Sequence, residues 1–165
     1  MWRPGATGLL GFALVSSALP PVAVRAEGIV FQSVVDNSPL DLTPKSGEVE
    51  TDALREFRAT GRNPYIDQAA AVIEGRRLYA ARCQGCHLST GKGRLGPSLI
   101  TEQPEYSQSR TDVGMFEIIY GGATGSMQPF ALQGLRQDNI LKVMAYVTSL
   151  RRAASRADRQ APKEQ

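Results

Sequence analysis

Cys83, Cys86 and His87 stand in the order C-x-x-C-H, and they are the only cysteines and the only histidine in this chain of 165 residues. Two thiols three positions apart can add across the two vinyl groups of one porphyrin. An imidazole directly after the second thiol is then held beneath the iron, so the pattern is that of covalent c-type haem attachment. One such motif means one haem, with Cys83 and Cys86 as the thioether sites and His87 as the proximal iron ligand. The scarcity of other ligands excludes competitors. A structural zinc site takes four ligands, and two cysteines with one histidine fall short. A thioredoxin-like C-x-x-C follows a strand in a βαβ unit, whereas a helical pattern precedes Cys83. A plain Cys83–Cys86 disulfide would leave His87 without a purpose.

The second axial ligand must come from Met, Lys or water, because there is no second histidine. Beyond the N-terminal segment the methionines are Met115, Met127 and Met144. Met115 and Met144 fall in amphipathic helical patterns, where methionine is ordinary packing. Met127 lies in a Gly-rich loop, GGATGSMQP, 40 residues after His87, and is the preferred distal ligand. A His/Met pair fills both axial positions, which suits electron transfer rather than oxygen chemistry. Pro97 follows His87 by ten residues, and its carbonyl is placed to accept the ring N–H of His87 and fix its orientation. Leu95, Leu99 and Ile100 are expected against the ring edge.

The elements that must position these groups are helices. Thr51–Thr60 reads as a short helix capped by Asp52 and stopped by Gly61. A stronger helix over 68–83, capped by Asp67, carries Val72, Gly75, Tyr79 and Cys83 on one stripe. Gly75 on that stripe suits a close crossing by another helix, with Tyr79 and Tyr146 meeting beside it. A third helix, 113–120, starts at Asp112 and ends at Gly121-Gly122. The last, 139–152, starts at Asp138, and Arg151-Arg152 suit its C-terminal pole. Before all of these, IVFQSVVDNSPLDL reads as a short β-hairpin over about 29–42. The expected fold is therefore all-α around one covalent haem, with a small N-terminal hairpin extension. Residues 27–66 form that extension, 67–152 the haem domain, and 153–165 a basic tail expected to be disordered.

Met1–Ala26 has a basic start, an apolar run of 12 residues from Gly8 to Leu19, and small residues before the expected cleavage point. That is the pattern of a secretory signal peptide. The run is too short for a spanning helix, which takes about 20 residues, so the mature chain is expected in the periplasm without a membrane anchor. The formal charge of +3 comes from the termini, and residues 27–150 hold 12 basic and 14 acidic groups. A terminal basic excess without aromatic interleaving argues against nucleic-acid binding. With two haem propionates added, the domain is expected to present an acidic steering face around the haem edge.

With these residues placed, the chain resembles the class I cytochromes c. Its helix ending GRRLYAARCQGCH, the later GP, the methionine loop and the last helix with AYVTSL all correspond. More narrowly it is similar to the cytochrome c-L family, electron acceptors of pyrroloquinoline-quinone methanol dehydrogenases. The likeness includes VFQSVVDNSPLDL, EFRATGRNPY, KGRLGPSL, the DVGMFEIIYGGA stretch and GSMQP, which small cytochromes c lack. The resemblance implies Cys83 and Cys86 as thioether sites, His87 as proximal and Met127 as distal ligand. It implies a quinoprotein methanol or other alcohol dehydrogenase as donor, a downstream cytochrome or terminal oxidase as acceptor, and no catalysis by the chain itself. The family is also associated with a calcium ion, for which no carboxylate cluster identifies ligands here, so calcium stays unassigned. Two other functions compete: a general respiratory carrier with no dehydrogenase partner, and a haem enzyme or sensor with an open sixth site.

Overall fold

The computed structural model describes Met1 and residues 28–161. Apart from Met1, the segment read as an export signal lies outside them, as do residues 162–165. The described chain is helical: α1 (Asp52–Thr60), α2 (Ala69–Arg82), a single turn α3 (Gln84–His87), a 3₁₀ turn Ser107–Arg110, α4 (Asp112–Gly121) and α5 (Gln137–Gln160). The expected hairpin is reduced to one antiparallel bridge, Gln32 to Pro39. Asp36 folds the intervening turn by accepting from the Ser38 N–H and hydroxyl at 3.1 and 2.8 Å. That local bonding competes with a longer ladder.

The crossing of α2 and α5 frames the molecule. Gly75 makes it possible: a Cβ there would lie 1.9 Å from the Lys142 carbonyl oxygen and 3.2 Å from the Tyr146 Cβ. Tyr79 and Tyr146 meet edge to face beside it, ring centroids 5.2 Å apart. Gly75→Ala would gain about 1 kcal/mol of helix propensity. It would lose more, because α5 backbone cannot yield as a side chain can and overpacking costs 1–3 kcal/mol or more. The expected net is a loss of about 2 kcal/mol in denaturant unfolding of the haem-loaded protein, and a variant as stable as the parent would show that the helices slide apart freely.

Residues 28–50 enter the core rather than decorate it. Phe31 is buried and packs on Phe57 and Phe116 at centroid distances of 5.4 and 5.5 Å, while Phe116 stacks on Tyr120. Polar bonds fasten the same segment. The Glu48 carboxylate accepts from the Gln137 N–H at 2.5 Å and so caps α5 from outside its own sequence. Buried Gln137 also accepts from Arg58 and donates to the Leu42 carbonyl.

The helix boundaries differ from expectation for related reasons. Thr51 and Thr111, not Asp52 and Asp112, are the N-caps of α1 and α4. Their hydroxyls accept from the Leu54 and Gly114 N–H groups, and the aspartates take the first helical position, where negative charge is favoured. Asp67 caps nothing and pairs with Arg152 at 2.5 Å. Asp138 lies inside α5 and accepts from Thr51 and Tyr65 and pairs with Lys142, at 2.6, 2.8 and 2.8 Å. Burial pushes its carboxyl up, but those bonds outweigh burial and hold it below the usual range. The disordered tail expected from 153 is a correction: α5 continues to Gln160. Ala153, Ala154 and Ala157 with the arginines are strong helix formers, and no Gly or Pro intervenes.

Candidate functional site

The five residues of the motif form a junction. Cys83 closes α2 and opens the single turn α3, with its carbonyl accepting from the Cys86 and His87 N–H groups at 3.1 and 3.0 Å. The chain then reverses at Leu88, whose φ of +60° is a left-handed conformation in a branched residue. Such a residue costs of order 1–3 kcal/mol and persists where its surroundings enforce it. Here the buried Tyr79 hydroxyl donates to the Leu88 carbonyl at 2.8 Å. The following loop folds back on the motif: Gly93 N–H donates to the His87 carbonyl, and the Arg94 and Gly96 N–H groups to that of Cys86.

His87 is buried, and its Nδ1 lies 2.9 Å from the Pro97 carbonyl oxygen. A carbonyl can only accept, so Nδ1 carries the proton and Nε2 is left with a bare lone pair, the tautomer a metal ligand needs. Gly96 is required beside it. A Cβ at Gly96 would lie 2.6 Å from the imidazole Cε1.

His87, Cys83, Pro97 and Met127 line one cavity of about 810 Å³, part of it open to solvent. Its walls are mainly apolar, with Tyr79, Leu99, Met115, Ile118, Val143 and Val147 among them. Cys86 is exposed on the same turn. Both thiols are free. Burial, and then the neighbouring Cys86, pushes the Cys83 thiol up to about 12. A redox dithiol works through a thiolate of depressed pKa, so this environment opposes thioredoxin-like chemistry. A bare imidazole nitrogen, a cysteine in the wall and an apolar cavity fit a porphyrin.

Met127 is held by its loop. Its carbonyl accepts from the Ala123 N–H at 3.0 Å. The loop is tied at Thr124, whose hydroxyl bonds the Tyr106 hydroxyl and whose N–H donates to it. Met144 is core, as expected. Met115 is buried too, but it also lines the cavity, which its helical pattern did not announce.

Other placements depart from the sequence reading. Leu99 is in the cavity wall. Leu95 is 78% exposed, and Ile100 packs against Gly91 instead. Arg151, expected only to suit the C-terminal pole of the last helix, lines the cavity and donates to the Leu99 and Ser109 carbonyls, both at 2.7 Å. Burial lowers its pKa, and Asp112 offsets part of this. Tyr106, Ser109 and Arg151 were not legible as site residues. The one available signal was that α5 outlasts its apolar face. The sequence reading expects an acidic face around the haem edge, whereas the stretch that contains the C-x-x-C-H turn carries the opposite sign. Residues 75–101 hold five basic groups and no carboxylate, and Arg76, Arg77, Arg82, Lys92 and Arg94 are all exposed. Among the described residues no three His, Cys, Asp or Glu side chains gather as a metal site, so none supports calcium. No helix among them is long and apolar enough to cross a membrane.

Residues 70–147 match the family described as cytochrome C oxidase, cbb3-type, subunit III. Cytochrome c-L of Methylorubrum extorquens is 38% identical over 149 residues, covering 87% of this chain and 75% of that protein. Among solved structures, cytochrome cL of the marine methylotrophic bacterium Methylophaga aminisulfidivorans superposes with a TM-score of 0.71 at 32% identity, covering 83% of this chain and 97% of that one. Cytochrome cL of Hyphomicrobium denitrificans gives a TM-score of 0.69 at 36% identity, covering 73% of each chain.

Proposed function

Because the chain belongs to the cytochrome c-L family of class I c-type cytochromes, binds haem c covalently and is an electron-transfer protein rather than an enzyme, we propose that it carries single electrons in the periplasm from a quinoprotein methanol or other alcohol dehydrogenase to a downstream cytochrome or oxidase. The bound haem iron supplies a one-electron ferric/ferrous couple. In this reading the chain binds one haem. Cys83 and Cys86 would hold it by thioethers, His87 would offer Nε2 to the iron, and Met127, in the wall of the same cavity, would offer its sulfur. Pro97 keeps the His87 ring in one tautomer and one orientation. The mainly apolar walls would limit the access of water to the axial ligands.

The observation that carries the reading is the pairing of the His87–Pro97 bond at 2.9 Å with Met127 in the wall of the same cavity. Two protein ligands leave no open site, which favours a carrier over a haem enzyme. The test is to mix the oxidised protein with a purified quinoprotein methanol dehydrogenase and methanol and to follow haem reduction. Reduction within the turnover time of the dehydrogenase supports the donor. Reduction only by respiratory complexes favours a general carrier. Carbon monoxide binding to the reduced protein would favour an open-site enzyme or sensor.

A further inference from the structure

Residues 99–110 run along the cavity as a strap, from which Leu99, Pro104, Tyr106 and Ser109 line it. The strap is fixed at both ends. The half-buried Arg151 guanidinium donates from Nε to the Leu99 carbonyl and from Nη1 to that of Ser109, both at 2.7 Å, and from Nη2 to the Ser109 hydroxyl at 3.3 Å. A planar fork of donors holds two acceptors at once in fixed directions. The Arg110 guanidinium closes the strap on itself through the Glu102 carbonyl at 2.6 Å. The 3₁₀ turn Ser107–Arg110 is pressed on α4, since a Cβ at Gly114 would lie 2.2 Å from the Gln108 carbonyl oxygen. Tyr106 leads directly into that turn and so stands on a stiff base. The Met127 loop has the contrary character. It is closed by the Ala123–Met127 backbone bond at 3.0 Å, and Thr124, Gly125 and Ser126 at its tip are exposed. Among the described residues, 123–127 hydrogen-bond to the rest of the chain through Tyr106 alone. The Thr124 N–H donates to the phenol oxygen at 3.1 Å, which leaves the phenol hydrogen for the Thr124 hydroxyl. A phenol can accept and donate together; a phenylalanine ring can do neither.

We infer that Tyr106 is a positioning residue for Met127: carried on the strap that Arg151 clamps, it restrains the methionine loop and sets how often the Met127 sulfur leaves the sixth coordination site. The inference rests on Met127 as the distal ligand and adds what controls its release. A bond restrains a loop only as far as its other end is fixed, and α4 and α5 supply that fixed end through the strap. Losing the bond shifts a local opening equilibrium without disturbing the packing of the helices, because neither Tyr106 nor Thr124 belongs to the hydrophobic core.

The test uses the oxidised, haem-loaded protein with imidazole as the incoming ligand. Imidazole can fill the sixth site only after Met127 has left it, so at high imidazole concentration the stopped-flow rate levels off at the rate of Met127 release. Tyr106→Phe should raise that plateau about fivefold, as the loss of one ordinary hydrogen bond does. Thr124→Val keeps its N–H and should give part of the rise, and the double variant should be no faster than Tyr106→Phe, because both changes break one contact. Arg151→Lys keeps the charge but not the fork and should raise the plateau too. The control is Ile140→Val, fully buried in α5 and outside the cavity lining, which lowers global stability and should leave the plateau where it was. An unchanged plateau in Tyr106→Phe, or an equal rise in Ile140→Val, would overturn the inference with the ligand reading intact. A plateau that survives Met127→Ala would instead refute Met127 as the departing ligand, the reading on which the inference stands. Amide hydrogen exchange in the reduced protein is the second readout. Tyr106→Phe should speed exchange at Thr124 and also at Ala123, whose N–H is bonded to the Met127 carbonyl. Faster exchange at Thr124 alone would show a bond with no hold on Met127 and would overturn the inference.

Discussion

Replacing Cys83 and Cys86 together by Ala gives a protein that shows no haem after denaturing electrophoresis and does not reach its native fold. The two sulfurs are the only ones at thioether spacing before a histidine, so nothing else in the chain can replace them covalently. The consequence for folding follows from where the cavity lies. Tyr79 of α2, Met115 and Ile118 of α4, and Val143 and Val147 of α5 all present apolar surface to it. These are the helices whose packing makes the core. An empty cavity removes the dispersion contacts that its lining makes with a bound group, and removing covalent attachment makes occupancy depend on concentration. Natural domains have only 5–15 kcal/mol to lose. Each single Cys→Ala variant keeps one thioether, and is expected to retain haem and fold with lower stability. Far-ultraviolet circular dichroism and haem staining check both parts. A double variant that is helical and still haem-stained would refute the assignment of the two thiols.

The part of this arrangement that is local in sequence was legible, and the part that depends on distant segments was not. The C-x-x-C-H spacing, the Gly75 stripe and the ten-residue step to Pro97 are each set within a few turns of chain, and their geometry follows from helix periodicity and turn chemistry. The helix starts were nearly so: Asp52 and Asp112 marked the right turns but sit one residue inside their threonine caps. By contrast, nothing near Gln137 announces that Glu48, 89 residues earlier, caps α5. Nothing near Arg151 announces a half-buried guanidinium either. Arg151 is adjacent to the exposed Arg152 and looks like tail by composition, yet it is held by two carbonyls from separate loops. A truncation meant to remove only the basic end must therefore begin after Arg152, because cutting at 151 also takes a residue from the cavity wall. Charge shows the same limit. A sum over 27–150 is slightly acidic, but the sum says nothing of how the charge is distributed, and the stretch 75–101 holds five cations and no carboxylate.

Met127→Ala keeps haem covalently attached through Cys83, Cys86 and His87 but opens the sixth coordination site. The expected signs are carbon monoxide binding to the reduced protein, imidazole binding to the oxidised one, and a fall in midpoint potential, because methionine ligation raises it. The control is Met115→Ala, and the structure makes it necessary, since both methionines line the cavity. Their settings differ. Met115 is buried among the residues of α4 and the aromatic core, so removing its side chain costs about 2–5 kcal/mol of packing while leaving the iron coordinated. Met127 is only partly buried and sits in a loop fixed at Ala123 and Thr124, so its loss costs little packing and appears chiefly in the ligand chemistry. The two variants should therefore separate: Met115→Ala lowers the unfolding midpoint with unchanged spectra, and Met127→Ala changes the spectra with a small effect on stability. The reverse pattern would place the distal sulfur on α4 and leave the Tyr106-tied loop as a cover over the cavity.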